Sequence, residues 1–277
     1  MSRDSFFRGP RVTMTTSKGR VELPIEYRDA TATTAVYAVD PARARPLLEE
    51  SGLVPLLFRG RTAAVAISWF DYRKTSIGPY HELSIAVLAH HPLDAPRSAL
   101  VGVLRGRGAV GGHILHLPVT TEIACAGGRE LWGYPKFVAD MPMAMSGGRM
   151  EGALVHEGQR VLSMRIPVPG GPQLPMPDLN TLSVLDDRLN RTRIATNCRT
   201  RLAWGSGVEL ALEQPGHPVC RTLAALGLPS RAMLVLHSDP FLSLLPLGVA
   251  VADVARGSEP GGRTLAETAE PRTHRTA

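Results

Sequence analysis

One lysine in this chain sits among residues that could turn it into a nucleophile. The run Glu122-Ile123-Ala124-Cys125-Ala126-Gly127-Gly128-Arg129-Glu130-Leu131-Trp132 reads as a helix closed by Gly133. Pro135 then holds the chain extended, and Lys136 follows between Tyr134, Pro135, Phe137 and Val138. Apolar surroundings disfavour an ammonium ion. A free amine attacks a carbonyl carbon and forms a Schiff base. The competing reading is a lysine that snorkels over its apolar neighbours to water. Composition sharpens the choice: of 31 lysines and arginines only Lys18, Lys74 and Lys136 are lysines. Lys18 lies near the N-terminus and Lys74 in the polar stretch Tyr72-Arg73-Lys74-Thr75. Lys136 alone has an apolar setting, where an amine can lose its proton and a guanidinium cannot.

Other constellations carry less. Gly106-Arg107-Gly108-Ala109-Val110-Gly111 satisfies a dinucleotide fingerprint, but Gly112 leads into His113–Val119, which reads as a strand. A pyrophosphate needs a helix N-terminus there, so the glycines read as a turn and no nucleotide cofactor is expected. His113 and His116 point to opposite faces of a strand, and His90 and His91 are adjacent, so no metal site is expected. Trp204-Gly205-Ser206-Gly207 lacks the spacing of a nucleophile elbow. Cys125, Cys198 and Cys220 are widely separated, read as small core residues, and fit a reducing cytoplasm.

The 277 residues carry a formal charge of +6. The arginines are scattered in short pairs such as Arg43/Arg45 and Arg105/Arg107. No basic helix or aromatic interleaving accompanies them, so nucleic acid is not an expected partner. No apolar run approaches a bilayer span and no signal-peptide core is present, so a cytoplasmic protein without membrane partners is expected.

Short strands dominate the elements that must hold this lysine. Thr33–Val39, Ala63–Phe70, Leu83–Ala89, His113–Val119, Met150–His156, Val161–Val168, Val208–Leu212 and Met233–His237 have strand length and composition. Three helices are predicted. One follows Asp40-Pro41 over Ala42–Glu50, one spans Thr121–Trp132, and one spans Pro218–Leu226. The pattern is α+β, a mostly antiparallel sheet with a few flanking helices and no regular βαβ alternation. A single domain over 21–255 is expected, between a loosely ordered segment 1–20 and a mobile tail 256–277.

Gly128-Arg129-Glu130-Leu131-Trp132-Gly133-Tyr134-Pro135-Lys136 resembles the GRE…(F/Y)PK signature of the acetoacetate decarboxylase family. Gly78-Pro79-Tyr80-His81-Glu82 resembles that family's G-x-Y-x-E element, and the strand-rich pattern is similar over residues 20–250. The resemblance implies a curved, cone-like or barrel-like sheet and a homo-oligomer. It also implies an imine-forming carbon–carbon lyase that uses no metal or nucleotide. Lys136 corresponds to the Schiff-base lysine, which condenses with the ketone of a β-keto acid so that the iminium accepts the electrons released with CO₂. Glu82 corresponds to an active-site carboxylate suited to proton transfer.

Further roles follow from the same match. Arg129, Arg28, Tyr80, Trp132 and Phe137 are candidate substrate-binding residues, and Glu130 and Tyr134 are candidate supports for the site. The sequence departs from the family in two places. Phe137 stands where the decarboxylases carry a second lysine, and neither Ile67 nor Ser68 supplies a second carboxylate. The expected N-terminal arginine has only a near match in Arg28. Trp69, Phe70, Trp132 and Phe137 would suit a substrate larger than acetoacetate. Decarboxylation of an oxo acid is the leading expectation. Aldolase, dehydratase or hydratase chemistry on a 2-oxo acid through the same lysine is the first alternative. A non-catalytic binding protein for a small anionic ligand is the second.

Overall fold

The computed structural model describes residues 3–94 and 110–254. The glycine-rich stretch through Ala109 and the tail from Arg256 lie outside the described residues. A short helix α1 (Arg3–Phe6) precedes the hairpin β1 (Val12–Thr16) and β2 (Gly19–Leu23), where the sequence reading expected a loose segment. Phe6 and Phe7 of that segment are buried. Then come the long strand β3 (Ile25–Val39) and α2 (Pro41–Ala44). Asp40 caps α2 by accepting from the Ala42 N–H, as read. Beyond Ala44 the predicted helix tightens into a 3₁₀ turn over Arg45–Ser51, with Pro46 in its first turn, and ends at the left-handed Gly52.

Strands β4 (Val54–Pro55), β5 (Ala63–Thr75), β6 (Tyr80–His90) and β7 (Val110–His116) lead to α3 (Glu122–Trp132). After it come β8 (Met143–Ser146), β9 (Arg149–His156), β10 (Gln159–Pro167), β11 (Leu174–Pro175), β12 (Leu179–Leu185), β13 (Arg188–Thr196), β14 (Arg199–Trp204) and β15 (Glu209–Leu212). The helix α4 (Pro218–Ala225) and strands β16 (Ala232–Ser238), β17 (Ser243–Leu245) and β18 (Val249–Asp253) complete the described chain.

Seven strands close on themselves in the order β3–β17–β13–β12–β7–β6–β5 and back to β3. One pair of the ring departs from the expected antiparallel pattern: β7 and β12 run parallel, Thr181 opposite Gly112. The connection between them is long enough for a parallel return, since it carries α3 and three strands of a second sheet. That second sheet, in the order β15–β10–β9–β8, covers one wall of the barrel.

The wall shared by the two layers explains the apolar strands. Val65, Ile67 and Trp69 of β5 and Leu83, Ile85 and Val87 of β6 are fully buried with Leu154, Leu162, Met164 and Ile166 of the outer sheet. The Trp69 indole N–H reaches the Met164 sulfur at 3.3 Å. Even-numbered residues of the same strands face the barrel interior, because side chains alternate along a strand. Both faces of β5 and β6 are therefore covered, so their hydrophobic runs are nearly continuous.

Candidate active site

Three extended segments bring Lys136 against Glu82. Residues 117–119 lie between β6 and the chain that follows α3. On one side the Leu83 N–H donates to the Pro118 carbonyl at 3.1 Å, and Glu82 bridges Val119. On the other side the Val119 N–H donates to the Phe137 carbonyl at 3.0 Å. Across this ladder the Lys136 Nζ meets the Glu82 Oε2 at 2.6 Å, and the two residues are only 6% and 7% exposed.

The end of α3 sets the position of the lysine. Gly133 adopts φ 67°, donates its N–H to the Arg129 carbonyl, and lets the Tyr134 N–H reach the Gly128 carbonyl. A β-carbon on Gly133 would overlap the Val184 carbonyl oxygen of β12, so the turn needs glycine for conformation and for space. The chain doubles back and lays the lysine stem on the helix at Gly128. A β-carbon there would overlap Lys136 Cδ and Cε. The signature glycine is the floor on which the lysine lies.

Four of the five tyrosines gather around the pair. The Tyr72 hydroxyl donates to Glu82 Oε1 at 3.4 Å, and the Tyr27 and Tyr80 hydroxyls share a hydrogen bond of 3.0 Å. The Tyr27 and Tyr80 rings lie 4.4 and 4.7 Å from that of Tyr72, and Lys136 Nζ is 5.8 Å from the Tyr80 ring. The Tyr134 hydroxyl bonds Thr181 Oγ1 at 2.6 Å. Burial first, and then the Glu82 charge, raise the Tyr27 and Tyr72 hydroxyls above the ordinary phenol range; burial and Tyr27 do so for Tyr80. Burial pushes Tyr134 up to about 12, against the pull of the Thr181 hydrogen bond. All four stay protonated near neutral pH and can donate to an oxygen anion.

Lys136 and Glu82 face a cavity of about 190 Å³ inside the barrel. Tyr27, Phe70, Tyr72 and Tyr134 line it beside them. Lys136 is the only cation and Glu82 the only carboxylate among its described lining residues. Tyr80 and Trp132 share a second, much smaller gap with Lys136. Trp132 is fixed by its indole N–H, which donates to the Pro246 carbonyl at 2.8 Å.

Three of the sequence-derived candidates stand elsewhere. Phe137 follows Lys136 in an extended segment, so it projects to the opposite side and packs edge-on against His156 at 5.0 Å. Arg28 is held on β3 by Glu26, with N–O distances of 2.6 and 2.8 Å, and lies over the Phe7 ring. Arg129 is exposed, and its guanidinium approaches the Lys136 carbonyl at 3.5 Å outside the barrel. Glu130 accepts from the Ser17 N–H and hydroxyl, which pull its carboxyl below the usual range and tie α3 to the first hairpin. Trp69 faces the outer sheet, while Phe70 lines the cavity. At the position without a second carboxylate, Ser68 faces the interior and accepts from the Thr34 hydroxyl at 2.9 Å.

The sequence reading missed Tyr27 and Tyr72. Alternation was the available signal, since Tyr72 shares a strand face with Ser68 and Phe70. The register then sets Phe70 opposite Glu82 and Tyr72 opposite Tyr80.

Comparison with known proteins agrees with this architecture. Residues 11–185 match the family model described as acetoacetate decarboxylase (ADC). No curated protein matches the chain. An acetoacetate decarboxylase structure from Legionella pneumophila subsp. pneumophila str. Philadelphia 1 superposes with a TM-score of 0.63 at 17% identity, over 91% of this chain and 95% of that one. A second acetoacetate decarboxylase structure gives 0.63 and 17%, over 84% and 91%. The enduracididine biosynthesis enzyme MppR, complexed with the condensation product of pyruvate and imidazole 4-carboxaldehyde, gives 0.61 and 16%, over 84% and 90%. At these identities the likeness is one of fold.

Proposed function

The chain belongs to the acetoacetate decarboxylase family, and from that premise we propose that it is a lyase that forms an imine between Lys136 and an oxo acid and decarboxylates a β-keto acid. The observation that carries the reading is the buried Lys136–Glu82 pair at 2.6 Å, open to a barrel cavity. Family membership supports an enzyme of lyase type, and the reaction itself is the proposal.

The pair can run the steps in order. Glu82 takes a proton from the Lys136 ammonium, and the free amine adds to the substrate ketone. Glu82 returns that proton to the hydroxyl of the addition product, which leaves as water and yields the protonated imine. Cleavage of the bond to the carboxylate sends its electron pair to the iminium nitrogen and releases CO₂. The enamine takes a proton at carbon, and water then hydrolyses the new iminium to the product ketone and the free lysine. Tyr27 and Tyr72 line the cavity, remain protonated and can donate to the substrate carboxylate. No guanidinium lines the cavity among the described residues, so the iminium is the one full positive charge beside that carboxylate. Loss of a neutral CO₂ relieves the charge.

A second reading, aldol or dehydratase chemistry on a 2-oxo acid, is favoured by one specific observation. Neither Ile67 nor Ser68 supplies a second carboxylate and Phe137 turns away from the cavity, so among the described residues Lys136 and Glu82 are the only charged groups lining it. That pair suffices to form an enamine. MppR, with the same fold, was captured with a condensation product of pyruvate and an aldehyde.

The two reactions separate in one assay. β-Keto acids are followed for CO₂ release, and pyruvate in deuterium oxide for exchange at its methyl carbon. The proposal expects CO₂ from a β-keto acid that is abolished in Lys136→Met. Methyl exchange without any CO₂ release would move the assignment to the second reading.

A further inference from the structure

We infer that the hollow barrel interior beyond Lys136 is the binding site for the substrate's apolar tail, and that the substrate is an oxo acid whose apolar substituent is larger than the methyl group of acetoacetate. This rests on the imine reading for the position of the carbonyl.

The hollow has a cause in the sequence. Below the Glu82 level, five interior positions on three neighbouring strands are small, Ala66, Ser68, Ser84, Ala86 and Gly112, with Leu88 and Ile114 the larger ones. The register stacks them in rungs: Ser68 opposite Ser84, Ala66 opposite Ala86, and Leu88 opposite Gly112. The outward neighbours on the same strands are large and fully buried, among them Ile67, Trp69, Ile85 and Val87. A barrel of about eight strands has an interior just wide enough for side chains to fill or for one small ligand to occupy. Here the side chains leave it open. Ala66, Ser68, Ser84, Leu88 and Gly112 keep partial exposure although they lie inside the wall.

Length and chemistry define the occupant. Glu82 and Leu88 are six residues apart on β6, which spans about 20 Å along the strand. Beyond Glu82 the larger lining side chains are apolar, Leu88, Ile114, Leu179, Ile194 and Phe241, apart from Asn180, whose amide N–H donates to the Val110 carbonyl at 3.1 Å. No described residue below that level is charged. The cavity of about 190 Å³ exceeds the engineered apolar cavity of about 150 Å³ that binds benzene. With the ketone carbon on Lys136 and the carboxylate among the tyrosine hydroxyls, the remaining substituent runs down this lumen.

The test compares substrates and a tail-only probe. Acetoacetate, 3-oxohexanoate, 3-oxooctanoate, 3-oxodecanoate and benzoylacetate are each trapped with borohydride, and the second-order rate of adduct formation is read. Each added methylene is expected to raise that rate about fourfold until the lumen is full. In Ala86→Phe and, independently, Ser84→Leu, the ratio of the octanoate to the acetoacetate rate should fall at least about tenfold. Toluene, which has no carbonyl, should bind both the wild type and Lys136→Met by calorimetry, and should not bind Ala86→Phe. A rate independent of tail length, with no toluene binding, would overturn the inference and leave the imine reading intact. Toluene binding with no adduct from any acid would keep the lumen as an apolar site and sink the imine reading instead.

Discussion

Replacing Gly128 by alanine separates the position of the lysine from the stability of the fold. Gly128 lies inside α3, where glycine costs about 0.8–1 kcal/mol relative to alanine. Its missing β-carbon is the space taken by Lys136 Cδ and Cε. The new methyl group gains the helix term and loses about 1–3 kcal/mol to overpacking. The net cost is about 0–2 kcal/mol, or a Tm lowered by at most about 8 °C at the usual 2–4 °C per kcal/mol. Chemistry suffers far more. The stem must leave its groove, and Nζ moves off its 2.6 Å contact with Glu82. A displacement of about 1 Å at a reacting group costs on the order of a hundredfold in rate.

Gly127→Ala is the control on the same helix, because a β-carbon there meets only Val21 Cγ2 at 3.9 Å. Adduct formation with a β-keto acid under borohydride is followed by intact mass, alongside thermal melting. Gly128→Ala should trap at least about a hundredfold more slowly than Gly127→Ala while still melting cooperatively. Equal trapping rates in the two variants would refute the claim that the helix floor positions the lysine.

Other perturbations follow from the same geometry. Glu82→Gln leaves a buried ammonium without its partner and should lower stability to urea by about 3–5 kcal/mol, whereas Glu82→Gln combined with Lys136→Met should recover most of that loss. A double variant as unstable as the sum of the two singles would contradict the pairing. Trp132→Phe removes the donor to Pro246 and should cost about 0.5–1.5 kcal/mol in the same titration; no loss would mean that the bond contributes nothing net. Burial, with His217 nearby, pushes His116 down to about 4 from an unfolded value near 6.5. The unfolded chain therefore takes that proton first, and stability, complete above about pH 6.5, falls by about 3 kcal/mol as pH drops to about 4. His113, His217 and His237 are lowered in the same sense and steepen the fall. Urea midpoints across this window should show the slope, and His116→Gln should flatten it; identical slopes would exclude His116 as a source.

Legibility in the sequence followed the strength of the local signal. The helix before Lys136 was readable because Thr121, Glu122, Gly133 and Pro135 punctuate it in order. Strands buried on both faces, β5 and β6, announced themselves as apolar runs, although β5 runs on past Phe70 to Thr75 and β6 extends beyond both predicted ends. β12 and β13 gave little sign. β13 reads RLNRTRIAT, and its turn uses Asp186 and Asp187 at φ 52° and 58°, where glycine or asparagine is the recognised marker. Closure of the ring was hidden for a related reason. It depends on the parallel β7–β12 pair and on β17, three residues long, and neither has a local signature. At the site, spacing brought out Lys136 and Glu82 but not the side from which each neighbour approaches. Phe137 and Arg28 were near in sequence and far in effect, because alternation and a Glu26 ion pair turn them away.

The central claim is that Lys136 is the nucleophile. The direct measurement incubates the protein with acetoacetate, pyruvate and longer oxo acids, reduces with borohydride, and maps the modified peptide by mass. The account predicts an irreversible mass gain on the peptide containing Lys136, equal to that of the reduced imine. It should be absent without borohydride and absent in Lys136→Met. An unmodified Lys136 with every oxo acid, or an adduct on Lys18 or Lys74 instead, would contradict it.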